Sequence, residues 1–131
     1  MNPSINYPDD RKYCLEHTWA KCEGDLATIG ITYYAQEQLG EVLFVELPQV
    51  GDEVIKGEAF GVVESAKVAS DLIAPLSGEI IEVNERLEDE PELINEDPYN
   101  MGWIIKIMVE DDAEWNSLLE SKKYAIKIDQ Q

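Results

Sequence analysis

One lysine in this chain lies where an enzyme could reach its amine and acylate it. Lys67 stands between two short runs of apolar residues, 62–63 and 72–73. A glycine precedes the first run, and a proline follows shortly after the second. Such runs predict two antiparallel strands, so the segment between them is a hairpin tip. Ala66 and Val68 beside the lysine are small. The pattern therefore predicts an uncrowded, solvent-exposed amine, whereas an isolated surface lysine would be interpreted as an ordinary turn residue.

The rest of the sequence shows no arrangement typical of catalysis or metal binding. It has neither a nucleophile elbow nor a phosphate-binding loop. The single histidine, His17, has no cysteine or serine partner apparent in the sequence, and Cys14 and Cys22 lack metal-ligand spacing. We therefore predict a non-catalytic protein without a metal. The two thiols are expected to be unpaired and packed as small apolar groups, with a disulfide left open.

Two similar segments flank the lysine hairpin and predict the fold around it. Residues 48–54 and 75–81 share a proline, a glycine, an acidic residue and a β-branched residue in the same order, 27 residues apart. Each copy predicts a proline-initiated turn, a glycine with positive φ (Gly51 or Gly78) and then a strand. Two such units around one hairpin favour a quasi-two-fold β-sandwich or flattened barrel.

Short strands and a helix are predicted before these repeats. Strands are expected at 19–22 and 26–31, joined by a tight turn. A short helix is expected at 33–39, because Thr32 is a favourable N-cap and Gly40 is a favourable residue after the last turn.

Further strands and a terminal helix complete the predicted fold. A strand at 41–47 is expected to point Phe44 into the core, and a strand at 103–109 is expected to be buried. Asp111 opens a capping-box pattern that predicts a terminal helix. The apolar stripe of that helix consists of Trp115, Leu118 and Leu119. The tail at 125–131 is expected to be disordered.

Length and charge bound the class of protein. With 131 residues, 44% of them hydrophobic, the chain is expected to form one domain, 1–131. No apolar run approaches the ~20 residues needed to cross a bilayer, and the N-terminus resembles no targeting peptide, so a cytoplasmic location is expected. A net charge of −18 disfavours nucleic acid and anionic membranes as partners and favours basic protein surfaces.

The surroundings of Lys67 resemble the attachment site of the lipoyl and biotinyl carrier domains. Gly51 lies 16 residues before the lysine and Gly78 lies 11 after it. Biotin carriers place methionine on both sides of the lysine, which this chain does not. The string VESAK at 63–67, followed by SD at 70–71, is similar to the lipoyl site of the glycine cleavage system H protein family. Further matches extend over nearly the whole chain, among them 30–32, 45–48, 93–95 and 97–99.

The resemblance implies both a fold and a cofactor. The fold is mainly β, a lipoyl/biotinyl-carrier-like flattened barrel (barrel-sandwich hybrid) with two or three short helices, including a C-terminal helix. The cofactor is lipoic acid covalently bound to Lys67, on an arm whose reach is about 14 Å by bond counting. The resemblance also implies that Gly51, Glu64, Asp71 and Gly78 take part in recognition by the lipoylating enzyme, a lipoate ligase or lipoyl synthase.

The same resemblance implies a carrier that serves enzymes without being one. The expected partners are glycine decarboxylase, which loads an aminomethyl group, an aminomethyltransferase, which unloads it, and dihydrolipoyl dehydrogenase, which re-oxidises the dithiol. A freely diffusing monomer is expected.

Glu16, His17, Thr18 and Asp71 are the residues that the resemblance implies for a cleft holding the loaded arm. The family usually reads His-Glu-Trp where this chain reads His-Thr-Trp at 17–19. Thr18 cannot pair with an ammonium group as a carboxylate does. Glu16 could substitute for the carboxylate, but in a strand its side chain would point the other way.

Three alternatives stay open beside carriage of aminomethyl in glycine cleavage, which is the favoured hypothesis. An H-like lipoate-binding protein of sulfur oxidation would carry sulfur for a heterodisulfide-reductase-like complex, and without an amine in its cargo the threonine would be harmless. A lipoyl relay would donate its cofactor to the 2-oxo acid dehydrogenases. An unmodified interaction domain would carry nothing on Lys67.

Overall fold

The structure of the protein is a computed structural model that describes residues 6–129 as two antiparallel β-sheets. The strands of the larger sheet are β1 (Lys12–Tyr13), β2 (Thr18–Glu23), β3 (Leu26–Ile31), β5 (Glu53–Val54), β8 (Gly78–Val83) and β9 (Ile105–Val109). The smaller sheet contains β4 (Val42–Glu46), β6 (Ala59–Ser65) and β7 (Ala69–Ile73). The strand orders are β1-β2-β3-β9-β8-β5 and β4-β6-β7, so the sheets stay separate rather than closing into one barrel.

Short helices connect or follow the strands. Within residues 6–129 they are α1 (Tyr33–Leu39), α2 (Arg86–Asp89), α3 (Leu93–Glu96), α4 (Asp112–Asn116) and α5 (Ser121–Asp129). The predicted mainly β fold with a C-terminal helix is confirmed, although the described helices outnumber the two or three expected. None of them is both long and apolar enough to span a membrane.

The main core lies where the two sheets face each other. The larger sheet contributes Ile29, Ile80 and Ile107, and the smaller sheet contributes Val63 and Leu72, all at most 1% exposed. Along β8 and β9, Ile80 and Ile107 are flanked by exposed or half-buried residues, because successive side chains of a strand point to opposite faces. The hairpin of β6 and β7 is thereby anchored in the core through one face while its tip projects away from it.

A second, aromatic cluster packs beside this core and ties the two ends of the described chain together. It contains Tyr7, Tyr13, Trp19 and Tyr124, which are almost fully buried. Tyr13 stacks on Tyr124 with ring centroids 5.0 Å apart, and Tyr7 meets the edge of Tyr124 at 5.5 Å. Aromatic pairs in these geometries stabilise the fold beyond the burial of their area. The cluster therefore holds α5 against β1 and β2.

The two repeated segments pair with each other across the larger sheet. Gly51 donates its backbone N–H to the carbonyl of Ile80 at 2.8 Å, and Ile80 donates to the carbonyl of Asp52 at 2.9 Å. Gly51 has the positive φ predicted for both repeat glycines, +97°. Gly78 does not, and that prediction was wrong. Gly78 is instead glycine because a Cβ there would collide with the backbone carbonyl of Met108 on β9.

The predicted α1 forms as expected, whereas β4 differs from its prediction. Thr32 Oγ1 accepts the N-capping hydrogen bond from Ala35 N at 3.2 Å, and Gly40 ends the helix with φ of +75°. In β4, the pairing with β6 shifts register between Val42 and Phe44. Because such a shift turns the following side chain to the other face, Phe44 is 52% exposed and does not point into the core.

The C-terminal region differs most from the prediction. Asp111 caps α4 by accepting from Ala113 N at 2.9 Å, but the helix ends at Asn116. The expected stripe is therefore split, since Leu119 follows the helix and pairs with Tyr13 through reciprocal backbone hydrogen bonds of 2.8 Å. Residues 125–129 of the tail that was expected to be disordered belong to α5. Positions 130–131 lie outside the described residues.

Candidate functional site

The lysine hairpin ends in a tight tip organised by one serine. Ser65 donates its backbone N–H to the carbonyl of Val68 at 2.9 Å. Its Oγ accepts from the backbone N–H groups of Lys67 and Val68, both at 3.3 Å. A serine side chain that satisfies nearby backbone donors in this way is typical of turns. The tip is therefore held by hydrogen bonds among its own residues, and none of these bonds uses the lysine side chain.

Lys67 itself is exposed. None of the ion pairs found within residues 6–129 involves it. Its side chain passes the end of α1, where a Cβ added to Gly40 would lie 3.4 Å from Cε and 3.7 Å from Nζ. The absence of a side chain at Gly40 thus leaves space next to the amine end of the lysine side chain.

An open cleft of about 210 Å³ lies beside the hairpin and brings together segments far apart in the sequence. Its apolar lining comes from β3, α1 and the hairpin strands and consists of Ile31, Ala35, Leu39, Val63, Val68 and Leu72. The polar residues implied for an arm cleft, Glu16, His17, Thr18 and Asp71, all lie on its wall. We call this space the arm cleft. Its mixed lining suits a flexible apolar chain with a polar end.

Thr18 and Glu16 both line the arm cleft, but Thr18 is buried and Glu16 is exposed. Thr18 is buried, donates its hydroxyl to the carbonyl of Ile73 at 2.9 Å and contacts Cys14 Sγ at 2.9 Å. Glu16 is exposed and precedes β2, in a turn where His17 N donates to the carbonyl of Cys14 at 2.9 Å. Strand alternation therefore does not govern Glu16. Thr18 ties the turn to β7, and Glu16 and Asp71 supply the carboxylates of the arm cleft.

His17 has a strained backbone and a fixed side chain. Its φ of +71° is unusual for a residue other than glycine. The ring packs against Tyr34 with centroids 4.7 Å apart, and Nδ1 lies 2.7 Å from the Tyr124 hydroxyl. Burial lowers the pKa of His17 below its usual value, while the negative charge of Glu16 opposes that shift. The ring is therefore neutral near neutral pH.

The two cysteines are both free thiols and lie in different surroundings. Cys14 is buried against Thr18, behind the arm cleft. Cys22 is half-buried on β2, where it pairs with Ala27 of β3. Burial raises the pKa of each thiol, which lowers the fraction of reactive thiolate. The disulfide that the sequence left open does not form, and no metal-binding group of His, Cys, Asp or Glu occurs in the described part of the chain.

The residues implied for recognition by a lipoylating enzyme divide between two places. Glu64 on β6 and Asp71 on β7 are exposed on the hairpin that carries Lys67. Gly51 and Gly78 lie on the larger sheet, where β5 pairs with β8. The geometry brings the two carboxylates to the lysine and gives the two glycines roles in backbone pairing.

Sequence reasoning missed some residues of the site. Gln38 of α1 lines the arm cleft beside Tyr34. Their helical spacing of four residues could have revealed this face of α1. Tyr124 supports His17 from α5, and no pattern in the sequence connects two residues 107 positions apart.

Comparisons with known proteins show which family the chain is similar to. The family model described as glycine cleavage H-protein matches residues 11–131. The chain is 61% identical over 114 residues to a glycine cleavage system H protein of Clostridioides difficile (strain 630), covering 86% of this chain and 90% of that protein. It is 52% identical over 117 residues to a protein of the same description from Carboxydothermus hydrogenoformans, covering 89% and 90%.

A solved structure extends the likeness to the fold. The crystal structure of a glycine cleavage system H protein from Mycobacterium marinum superposes with a TM-score of 0.82 at 42% identity, covering 92% of this chain and 98% of that one. Identity and coverage of this size, together with the match of the family model, establish the relationship. The chain belongs to the glycine cleavage H-protein family.

Proposed function

We propose that this protein is a lipoyl carrier that moves an aminomethyl group between the enzymes of the glycine cleavage system. The observation that carries the proposal is Lys67, an exposed amine at the tip of a hairpin whose strands are anchored in the core, with no ion-pair partner among residues 6–129. The names of the relatives support the choice of pathway.

The site fits a lipoyl group in amide linkage to Lys67. The amine is reachable, the tip does not depend on the lysine side chain, and the arm cleft beside it has an apolar lining for a hydrocarbon chain. A lipoyl group would supply a dithiolane on a long flexible arm, which accepts a group at sulfur and later releases it. The protein itself contributes the tether, which raises the effective concentration of the cargo at each enzyme.

The charges of the arm cleft fit an amine-bearing cargo. Glu16 and Asp71 are exposed carboxylates on the wall of the same cleft, and both would attract a primary ammonium group. Each exposed contact of this kind contributes only about 0–1 kcal/mol, so the carboxylates orient the cargo without trapping it. The Thr18 hydroxyl donates its hydrogen to the Ile73 carbonyl and carries no charge, so it takes no part in this attraction.

The same geometry weakens the sulfur-carrier alternative. That alternative was based on the loss of a carboxylate at Thr18 and on the two thiols near the N-terminus. Glu16 places a carboxylate on the cleft wall in the place of the missing one. The thiols of Cys14 and Cys22 have raised pKa values and are not exposed. Aminomethyl carriage is therefore the better supported hypothesis.

The proposed partners follow from the proposed cargo. They are a lipoylating enzyme, glycine decarboxylase, an aminomethyltransferase and dihydrolipoyl dehydrogenase, each of which must reach Lys67 or its arm. The exposed Glu64 and Asp71 on the hairpin favour partners with basic surfaces around their active sites. The carrier has no catalytic role in this scheme, since the enzymes supply the chemistry.

Mass spectrometry of the intact protein tests the attachment. After co-expression with a lipoylating enzyme, we expect one lipoyl group per chain and its location on Lys67 after proteolysis. Lys67→Arg removes the amine and should abolish the added mass, whereas Lys122→Arg, at an exposed lysine of α5, should leave it unchanged. Loss of the modification in both variants, or in neither, would contradict the assignment.

The cargo requires a separate measurement. Lipoylated protein is incubated with glycine and glycine decarboxylase, and the aminomethyl group on the arm is detected by its mass. We expect loading of the wild-type protein and weaker loading of a Glu16→Gln, Asp71→Asn double variant that remains fully lipoylated. Failure of lipoylated wild-type protein to accept the group from a cognate decarboxylase would overturn the proposed pathway.

A further inference from the structure

Three side chains form a buried hydrogen-bond chain behind the arm cleft. His17 Nδ1 lies 2.7 Å from the Tyr124 hydroxyl oxygen, which lies 2.8 Å from Thr32 Oγ1. Thr32 Oγ1 also accepts from the backbone N–H of Ala35 at 3.2 Å. Thr32 and Tyr124 are both 0% exposed, so neither hydroxyl group can turn to bulk water for a partner.

One arrangement of the hydroxyl hydrogens satisfies every group in this chain. If Thr32 donates to Tyr124, Tyr124 is free to donate to His17 Nδ1. In the reverse arrangement, Nδ1 donates to Tyr124 and Tyr124 donates to Thr32. The hydroxyl hydrogen of Thr32 then has no acceptor among the hydrogen bonds of the described residues. A buried donor without an acceptor is costly, so the first arrangement is favoured.

This arrangement selects one tautomer of His17. A ring nitrogen that accepts a hydrogen bond carries no hydrogen, so the neutral ring must carry its hydrogen on Nε2. His17 lies on the wall of the arm cleft, and its Nδ1 is bound to Tyr124. Nε2–H is therefore the ring group for which the hydrogen bonds of the described residues include no partner, and His17 lines the cleft.

We propose that Tyr124 and Thr32 hold His17 as a neutral Nε2–H donor on the wall of the arm cleft, where it binds a hydrogen-bond acceptor of the loaded arm. His17 contacts the ligand, and Tyr124 and Thr32 are positioning residues that act through it. The proposal depends on the proposed function only for the identity of that ligand, an acyl arm with carbonyl oxygen and sulfur acceptors.

The neutral state matters because two carboxylates share the cleft. An imidazolium at His17 would pair with Glu16 or Asp71 and repel a cationic amine. A neutral donor leaves both carboxylates to the amine and binds a different part of the arm. The arm cleft then offers one neutral donor and two anionic acceptors, which selects a ligand that has an acceptor in its chain and a positive charge at its end.

Several titratable groups face His17. Burial lowers the pKa of the ring and the carboxylate of Glu16, on the same turn, raises it, while Asp71 of β7 lines the same cleft and Tyr34 of α1 and Tyr124 of α5 contact the ring. Protonation of Nδ1 would also break the hydrogen bond that Tyr124 donates to it. The hydrogen-bond chain and burial together oppose the charge.

Nitrogen NMR of the full-length unmodified protein tests the tautomer. His17 is the single histidine of the chain, so long-range proton–nitrogen spectra of protein labelled with ¹⁵N-histidine contain one ring. We expect hydrogen on Nε2 and a bare Nδ1 at neutral pH, with titration below the ordinary histidine pKa of about 6.5. Hydrogen on Nδ1, an even mixture of tautomers, or titration at or above that value would overturn the proposal.

A matched pair of variants at Thr32 separates positioning from folding. Thr32→Ser keeps the hydroxyl and should keep the Nε2–H tautomer. Thr32→Val removes the hydroxyl and should produce a mixture of tautomers, with a pKa nearer the ordinary value. Tyr124→Phe should act in the same direction as Thr32→Val.

Tyr99→Phe is the control, at a half-buried tyrosine that packs against the aromatic cluster. The Tyr99 hydroxyl accepts from the backbone N–H of Tyr33, so its loss should leave the His17 spectrum unchanged. A tautomer unaffected by Thr32→Val in folded protein contradicts the positioning role, as does a Tyr99→Phe effect equal to that of Tyr124→Phe.

The same spectra of loaded protein test the ligand. Aminomethyl-loaded, lipoylated wild-type protein should show a displaced Nε2–H resonance relative to unmodified protein. Lys67→Arg protein treated in the same way should show no displacement. An unchanged resonance in protein whose loading is verified by mass overturns the ligand assignment. Failure to load at all contradicts the proposed function instead, and the tautomer of the unmodified protein still decides the positioning role.

Discussion

At the scale of single residues, the repeat glycines Gly51 and Gly78 show how one amino acid meets two demands. Gly51 turns the chain with φ of +97°, in open space where an added Cβ would meet no atom within 4 Å. Gly78 has no positive φ but lies against the backbone carbonyl of Met108. The resemblance implies that both glycines take part in recognition by the lipoylating enzyme. The structure gives each position its own local reason to be glycine, a turn at Gly51 and a close backbone contact at Gly78.

We expect Gly78→Ala to lower the free energy of unfolding by about 3 kcal/mol, because backbone atoms of β9 must move to admit the methyl group. Gly51→Ala should cost only about 1 kcal/mol, through strain at positive φ. Urea denaturation measures both, and lipoylation is measured on the same samples. A stable Gly78→Ala protein that is not lipoylated would instead place this glycine in contact with the lipoylating enzyme.

His17 should make stability depend on pH. Its folded pKa lies below its unfolded value, so the unfolded chain binds more protons between the two values. The stabilising contribution is present above about pH 6.5 and is lost as the pH falls through the folded pKa. Comparison of urea denaturation for wild type and His17→Asn, which tolerates positive φ, should show the smaller decline in the variant. Parallel pH profiles would contradict a depressed pKa.

At the scale of elements, Glu114 fastens α4 to the turn before β8. Its two carboxylate oxygens accept from Ser77 N at 2.8 Å and from Ser77 Oγ at 2.9 Å. The capping-box pattern predicted that this side chain would serve its own helix. The carboxylate instead satisfies a turn that is distant in the sequence, which a local motif cannot reveal.

Glu114→Ala should therefore lower the free energy of unfolding by about 1–2 kcal/mol, because it removes two hydrogen bonds to a charged group and takes the acceptor away from the Ser77 N–H and hydroxyl hydrogens. Asp112→Ala is the control, because Asp112 is an exposed acidic residue of the same helical turn. It should lower the free energy of unfolding by only about 0.3 kcal/mol. Denaturation midpoints of the two variants provide the measurement. Equal effects would show that charge near the helix start matters more than the contact with Ser77.

Elements with strong local signals were predictable, and elements shaped by long-range packing were not. The cap at Thr32 and the glycine turn between β2 and β3 are local, and α1 and the β2–β3 hairpin form as expected. Phe44 points outward because of a register shift, which depends on how β4 pairs with β6. Helix α5 escaped prediction because its buried residues, Tyr124 and Ala125, find their partners in the aromatic cluster.

At the scale of the whole molecule, the net charge of −18 is the dominant property. Mutual repulsion of the acidic groups opposes the compact state, and salt screens that repulsion. We expect the thermal midpoint to rise as sodium chloride increases from about 10 to 150 mM. A Glu88→Gln, Asp89→Asn variant, altered at two exposed positions of α2, should show a smaller rise. A midpoint that falls with salt would mean that attractive ion pairs outweigh the repulsion.

The candidate site was predictable only in part, since it is assembled from the whole chain. Lys67 and the acidic residues of its hairpin are adjacent in the sequence and could be identified from it. The arm cleft is built from the turn at 14–17, α1 and the hairpin, and its wall is supported from α5. Glu16 lies in the turn before β2, so strand alternation does not determine where its side chain points. The sequence alone does not show that this turn places Glu16 on the wall of the cleft.

The support of His17 by Tyr124 has a consequence for how the molecule matures. Because α5 comes after β9 in the chain, the ribosome completes the lysine hairpin and both sheets before it makes Tyr124. A nascent chain that ends before α5 thus contains Lys67 and its hairpin but lacks Tyr124, which contacts His17 on the wall of the arm cleft. Acquiring the prosthetic group and protecting what it carries are, on this view, separate stages in the life of the carrier.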